Sequence, residues 1–288
     1  MVPYILRNYV LSRQKPFLSS FKLTYQCNLR CQQCPFFSMK TPELTYDSAC
    51  LVIDRLYDRG SRLLIFEGGE PLLWRDGKHG IHDLVTYAKN RFYSVGVTTN
   101  GTIRLDVPSD VLWVSIDGLR DTHNALRNAP IFDQVIQNVK SSTHPRLFAH
   151  VTVNSANADE IPALLTYLDE IFRGITLQFY YPYDHKDSLF LDFDRRERLL
   201  EKIIQMKRSG IHILNSIPAL RALERNHWTC RDYLVDNANP DESIQQGCYL
   251  KGRTDIDCSR CGFSPHTEIS LASFGNPRAI ISGMKIFL

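Results

Sequence analysis

Short apolar runs alternate with longer stretches of helical period along residues 20–210 of this 288-residue chain. The runs predict strands over 20–26, 62–67, 94–99, 111–116, 147–153 and 174–180. Several are apolar at nearly every position, as strands covered on both faces are. Between them Ala49, Val52, Ile53, Leu56 and Tyr57 recur at helical spacing, with Gly60 as the stop. Leu164, Leu165, Leu168, Ile171 and Phe172 repeat the pattern ahead of Gly174. Asp194 and Glu197 have the spacing of a capping box, and the stripe Leu199, Leu200, Ile203 and Ile204 then runs to Gly210.

The alternation amounts to six βα units by residue 210 and predicts a parallel α/β fold. It does not separate a barrel from an open doubly wound sheet. In both, ligand sites form at the C-terminal ends of the strands. The residues with chemical potential sit there. Cys27 follows the first strand and Gly68 the second; Thr99 and Asn100 end the third, and Ser115 and Asp117 the fourth.

Cys27, Cys31 and Cys34 lie in the run TYQCNLRCQQCPF with the spacing C-x3-C-x2-C. Three thiolates this close can close one face of a metal cluster and leave a fourth position without a protein ligand. Open positions are kept for chemistry, whereas closed structural sites use four ligands, and four-iron clusters normally take four cysteines. The trio therefore points to an iron left free for a substrate or cosubstrate. A C-x2-C pair alone also fits a zinc site or a redox dithiol.

Together with Gly68-Gly69-Glu70-Pro71, the trio resembles the signature of the radical SAM superfamily. Thr98-Thr99-Asn100-Gly101-Thr102, Ser115-Ile116-Asp117-Gly118 and the continuation His123 to Val139 are similar to that family's later motifs, in its order. The resemblance covers about residues 21–181. It implies a partial (β/α)6 TIM-like barrel, with a [4Fe-4S] cluster on Cys27, Cys31 and Cys34 and S-adenosylmethionine (SAM) on the free iron. It also implies a flavodoxin- or ferredoxin-type reductant. The GGEP segment would hold the methionine amino group. Gly68 and Gly69 would let the backbone approach the ligand, and Pro71 would stiffen the turn. Glu70 reads either as a salt bridge to that ammonium or as an internal carboxylate bracing the turn. Thr99, Asn100, Ser115 and Asp117 are candidates for the ribose hydroxyls; a plain turn is the other reading of Asn100-Gly101. Glu67 and Asn154 are further residues expected at the mouth. The family usually places an aromatic just before the third cysteine. Here Gln33 stands there, and Phe36-Phe37 is the candidate substitute near the adenine.

Cys230, Cys248, Cys258 and Cys261 form a second group, with spacings x17, x9 and x2. Four cysteines ending in a CxxC can close a tetrahedral zinc site or hold a second Fe–S cluster. The segment from Gly247 to Leu271 is similar to the Cys-rich extension of the radical SAM enzymes that join the adenosyl radical to a hopanoid precursor. That favours a second cluster over zinc. His227 and His266 flank the group and read as surface or hydrogen-bonded residues. Asn239-Pro240 reads as a loop between ligands. The expected organisation is an N-terminal extension over 1–20, the barrel over 21–210 and a Cys-rich C-terminal domain over 211–288.

Bulk properties narrow the picture little. Hydrophobic content of 43%, charged content of 23% and a net charge of +3 are ordinary and argue against nucleic acid as a partner. Eight clustered cysteines, no secretory h-region and no run of 18 apolar residues point to a reducing cytoplasm. Cys50 reads as a packing residue. Arg7, Arg13 and Lys15 among apolar residues leave two readings for residues 1–20: an amphipathic helix touching a membrane or partner, or a lid on the barrel base. The leading expectation is radical chemistry on an unactivated carbon of a small-molecule, lipid or peptide substrate. Within it stand hydrogen abstraction and addition to an isoprenoid lipid alkene. The rivals are a non-catalytic Fe–S sensor or electron carrier and a zinc-stapled binding module. Tyr180, Tyr181 and Tyr183 are candidates for the mouth or for packing.

Overall fold

The computed structural model describes residues 14–183, 187–252 and 254–288. Of the extension expected over 1–20, residues 1–13, with Arg7 and Arg13, lie outside the described residues. Six parallel strands form the frame: β1 (Leu18–Thr24), β2 (Leu63–Gly68), β5 (Ser94–Thr99), β6 (Val111–Ser115), β7 (Leu147–Val153) and β8 (Ile175–Phe179). A two-residue hairpin, β3 (Arg75–Asp76) with β4 (His79–Gly80), decorates the loop after β2. The strands fall within two residues of the positions expected from the apolar runs, because each run is buried against helices on its outer face. Phe21, Leu23, Leu64, Phe66, Val95 and Val97 are fully buried there.

Helices α1 (Tyr46–Arg59), α2 (Ile81–Lys89), α3 (Arg120–Arg127), α4 (Phe132–Ser141), α5 (Ile161–Asp169) and α6 (Phe193–Arg208) cover that outer face. The regular βα alternation has one gap. Residues 100–110 cross from β5 to β6 without a helix, anchored by buried Leu105 and Val107. Two helices, α3 and α4, follow β6 instead. Gly60 ends α1 with φ of 129°, a conformation only glycine adopts readily. The expected capping box is displaced. Asp192 is the N-cap of α6 and accepts from the Arg195 N–H, while Asp194 and Glu197 both pair with Arg225. Cys50 is buried on α1, as expected of a packing residue.

The sheet runs past the six strands. Its order is β10-β9-β1-β2-β5-β6-β7-β8, where β9 (Val235–Ala238) pairs parallel to β1 and β10 (Ile244–Gln246) antiparallel to β9. The boundaries expected at residues 20 and 210 therefore fall elsewhere on the molecule than at the edges of the sheet: β1 starts at Leu18, and the segment after 210 returns to pair with it. Asn239-Pro240 lies in the β9–β10 loop, as expected. After α7 (Ile217–Arg225) and the cysteine-bearing loops, α8 (Ser264–Ser273) and α9 (Pro277–Phe287) pack together. α9 closes the bottom of the barrel. Its Ile286 and Phe287 cluster with Trp113, whose ring lies so close to Gly96 that a Cβ there would meet it at 2.5 Å. Among the described residues, no helix is long and apolar enough to cross a membrane.

Arg59 ties α1 to the returning strand. Its Nε and Nη2 reach both carboxylate oxygens of buried Asp236 at 2.6 and 2.9 Å. Removing one partner of a buried pair leaves an uncompensated charge, a loss of about 3–5 kcal/mol when both partners are dry. Arg59 is partly exposed. Arg59→Ala is therefore expected to lower stability by about 2 kcal/mol, below that range. In hydrogen exchange the loss should appear first at the β9 amides, and uniform loosening of all strands would contradict the role.

Candidate functional site

A cavity of about 960 Å3 runs through the barrel and reaches the C-terminal ends of the strands. Cys27, Cys31, Cys34, Gly68, Gly69, Thr99, Asn100, Ser115 and Asp117 all line it, so motifs far apart in sequence meet at one mouth. Its middle is polar, with Ser20, Glu67, His150 and Gln178, and its floor is apolar, with Leu63, Ile65, Trp113 and Phe287.

The cysteine loop is held from two sides. On one, the GGEP turn extends the β1–β2 ladder: Gly69 N–H donates to Thr24 O at 2.7 Å and Glu70 N–H to Gln26 O at 2.8 Å. A Cβ on Gly69 would lie 2.1 Å from Gln26 O, and one on Gly68, at φ of 126°, 2.5 Å from Thr24 O. The glycines were expected to let the backbone approach a ligand. What requires them here is the approach of the GGEP turn to the cysteine loop itself.

Glu70 faces inward and is fully buried. It accepts from Leu72 N–H at 3.1 Å, Thr99 Oγ1 at 2.7 Å and Asn100 N–H at 2.7 Å. Of its two expected readings, the internal brace is the one its side chain adopts: it locks the turn to the end of β5. Pro71 is buried in the 3-10 turn that follows. Asn100 carries the lock into the cysteine loop. Its Nδ2 donates to Asn28 Oδ1 at 2.8 Å and reaches Cys27 Sγ at 3.8 Å, and Leu29 N–H also points at that sulfur, at 3.4 Å.

On the other side stands Arg127, which the motif reading passed over. It is buried, with Nη1 at 3.8 Å from Cys31 Sγ and Nη2 at 2.6 Å from Asp117 Oδ2. Asp117 also accepts from Gln33 Nε2 at 2.7 Å and from Thr152 N–H at 3.0 Å. It was a candidate for a ribose hydroxyl, yet its oxygens are engaged in orienting Arg127 and Gln33. Its own N–H donates to His123 Nδ1 at 3.2 Å, and burial beside Arg127 holds that imidazole down to about 4, neutral. The sequence carried a signal for this pair: His123 and Arg127 stand at i and i+4 on the face of α3 that also bears Leu126.

Other candidates part company. Ser115 faces the cavity with no partner for its hydroxyl among the described residues. Asn154 is turned into its own loop, where Oδ1 accepts from Ala156 N–H at 2.9 Å. Glu67 pairs with buried Lys22 at 3.1 Å. Phe36 is buried against Tyr25, rings parallel at 5.6 Å, and lines the cavity; Phe37 is exposed. Tyr180, Tyr181 and Tyr183 line the cavity, and the Tyr181 hydroxyl accepts from Asp257 N–H at 2.8 Å, next to the second cysteine group.

The donors on Cys27 and Cys31 suit thiolate rather than thiol. Burial pushes Cys34 up to about 11 and also raises Cys27, and a bound cation would displace the protons these two sulfurs hold. The second group shares this character. Burial, chiefly, pushes Cys230 up to about 12, with Asp232 and the other three cysteines of the group adding to it. Among the described residues, no three His, Cys, Asp or Glu are drawn together to the spacing of a single ion. His227 is exposed; His266 is buried, with Nδ1 unpartnered.

No family model matches the chain. Curated relatives do. An Fe-coproporphyrin III synthase from Methanosarcina barkeri is 27% identical over 173 residues, 55% of this chain and 42% of that protein. An AdoMet-dependent heme synthase of the same organism is 31% identical over 164 residues, 51% and 45% of the two chains. The chain thus spans less than half the length of these relatives. Among solved structures, SuiB of Streptococcus suis bound to S-adenosylmethionine superposes with a TM-score of 0.67 at 14% identity, over 87% of this chain and 66% of that one. AnSMEcpe with bound AdoMet and a peptide does so with a TM-score of 0.64 at 16% identity, over 94% and 82%. The fold is that of the radical SAM partial barrel. In that fold the mouth at Cys27 to Cys34 is the rim where the loops of β1, β2, β5 and β6 converge.

Two outcomes test the geometry. Gly69→Ala should displace the cysteine loop, and after anaerobic reconstitution with iron and sulfide it should hold less iron than the parent. Glu70 is held up to about 7 by burial, above its ordinary 4.5. A raised carboxyl contributes stability that is full below the lower value and lost as pH rises through the higher one. In metal-free protein, the stability gap between parent and Glu70→Gln should therefore narrow between pH 4.5 and 7. The slope limit is about 1.4 kcal/mol per pH unit, and urea unfolding at several pH values reads it.

Proposed function

We propose that this protein is a radical SAM enzyme, with a [4Fe-4S] cluster on Cys27, Cys31 and Cys34 and SAM at the adjoining mouth. The observation that carries the reading is the cysteine loop. Three thiols stand on one rim of a large cavity, with Asn100, Leu29 N–H and Arg127 directed at two of the sulfurs. When bound, the cluster and SAM supply a 5′-deoxyadenosyl radical to the cavity. The chain's own residues position and enclose. Gly68, Gly69, Glu70 and Pro71 hold the β2 turn against the loop, and Ser115 offers a hydroxyl to the cavity. Thr99 and Asn100 brace that turn, and a flavodoxin- or ferredoxin-type protein is the expected electron donor. The relatives' names point to different substrates, tetrapyrroles and a peptide among them, so the substrate is not inherited from them.

Addition of the radical to an isoprenoid lipid alkene is the second outcome, and two observations favour it: the apolar floor at Trp113 and Phe287, and the Cys-rich tail. The cysteines of that tail are read as ligands of a second Fe–S cluster, in preference to zinc. The anaerobic assay is direct. Protein reconstituted with iron and sulfide, given SAM and dithionite, should release 5′-deoxyadenosine detectable by mass spectrometry. Cys31→Ala should reduce release to background, and Cys258→Ala should leave the SAM-dependent change in the first cluster's EPR signal in place. Fully iron-loaded parent protein that releases none would favour a non-catalytic Fe–S protein.

A further inference from the structure

Arg196 is fully buried in α6, on the same stripe as Leu199, Leu200 and Ile203. Among the described residues it pairs with no carboxylate. Its Nη1 donates to Cys261 O at 2.9 Å and lies 3.4 Å from Leu223 O, while Nε and Nη2 have no acceptor. The rings of Phe179, Phe193 and Phe190 surround the guanidinium at 4.5, 5.0 and 5.8 Å. A guanidinium does not shed its proton to escape such a site. Aromatic faces and carbonyls offset part of the desolvation of a dry cation, which reaches several kcal/mol, but not all of it. Arg127 makes the contrast: it also abuts a cysteine, yet its charge is matched by Asp117 at 2.6 Å. Among the described residues no carboxylate matches the cation of Arg196, and its shortest hydrogen bond runs to the backbone of Cys261.

Four thiolates around zinc or around an iron–sulfur core leave a net negative centre. We propose that Arg196 is the counter-charge of an anionic metal–thiolate centre at Cys230, Cys248, Cys258 and Cys261, and that it raises the reduction potential of an Fe–S cluster held there. This rests on reading those cysteines as cluster ligands. Reduction adds a negative charge to the centre, so a fixed cation beside it stabilises the reduced form more than the oxidised one. Arg196 acts on potential and retention as a positioning residue; it touches no reacting atom.

The test isolates the second centre in the full chain by replacing Cys27, Cys31 and Cys34 with alanine. The chain is reconstituted anaerobically with iron and sulfide, its iron is counted, and the midpoint potential is read by EPR-monitored titration. Arg196→Met should move the midpoint to more negative potential, by about 59 mV for a tenfold loss of preference for the reduced form. Arg196→Lys, which keeps the charge, should stay near the parent. If Arg196→Met retains no cluster, retention by Arg196→Lys still supports a charge requirement, whereas equal loss in both overturns it. An unchanged midpoint in a cluster-bearing Arg196→Met chain also overturns the proposal. A parent chain that takes up no iron at these four cysteines refutes the cluster reading itself, a result distinct from either.

Discussion

The site depends on a backbone constraint before it depends on any side chain. The β1–β2 ladder does not end with the strands: Gly69 and Glu70 N–H donate to Thr24 O and Gln26 O and carry the pairing into the cysteine loop. No residue with a Cβ fits at Gly69 while those bonds are made. Glu70 then fastens the turn to the end of β5 through two donors, Thr99 Oγ1 and Asn100 N–H, and Asn100 returns from there to the cysteine loop. Three loops from adjacent strands thus form one closed circuit of hydrogen bonds. A buried network of this kind is worth keeping only when its members are satisfied, and Glu70 has a donor on each oxygen.

Charge is arranged around that circuit with equal care. Cys31 is approached by Arg127, which is fixed by Asp117, which is in turn held by Gln33 and Thr152. Gln33, which stands where the family that the sequence resembles usually has an aromatic, is therefore part of the local order rather than a gap in it. Beside the second cysteine group, Lys251 is paired with Asp232, whereas Arg196 donates to Cys261 O and has no carboxylate partner among the described residues. One arginine sits in a balanced pair and the other in a pocket without a carboxylate. The tail is joined to the barrel as well: a Cβ on Gly262 would meet Phe179 O at 2.4 Å, and Tyr181 bonds to Asp257.

The sequence by itself determined the six parallel strands, three of the helices around them and the convergence of the motifs. Those properties are local or follow from period: apolar runs need cover on both faces, and parallel strands put their C-terminal ends on one rim. It was silent where a decision is made by partners distant in the chain. The return of β9 to pair with β1, the missing helix between β5 and β6, and the placement of Asp192 rather than Asp194 at the helix cap all depend on such packing. The same is true of function. The motif resemblance could nominate Glu70 and Asp117 as ligand contacts, but only the tertiary structure shows that one braces a turn and the other orients an arginine. A carboxylate's role is set by which donors surround it, and those donors come from other strands. That Arg127 is matched by a carboxylate and Arg196 is not, among the described residues, is a fact of three-dimensional neighbourhood, because charge is compensated through space and not along the chain.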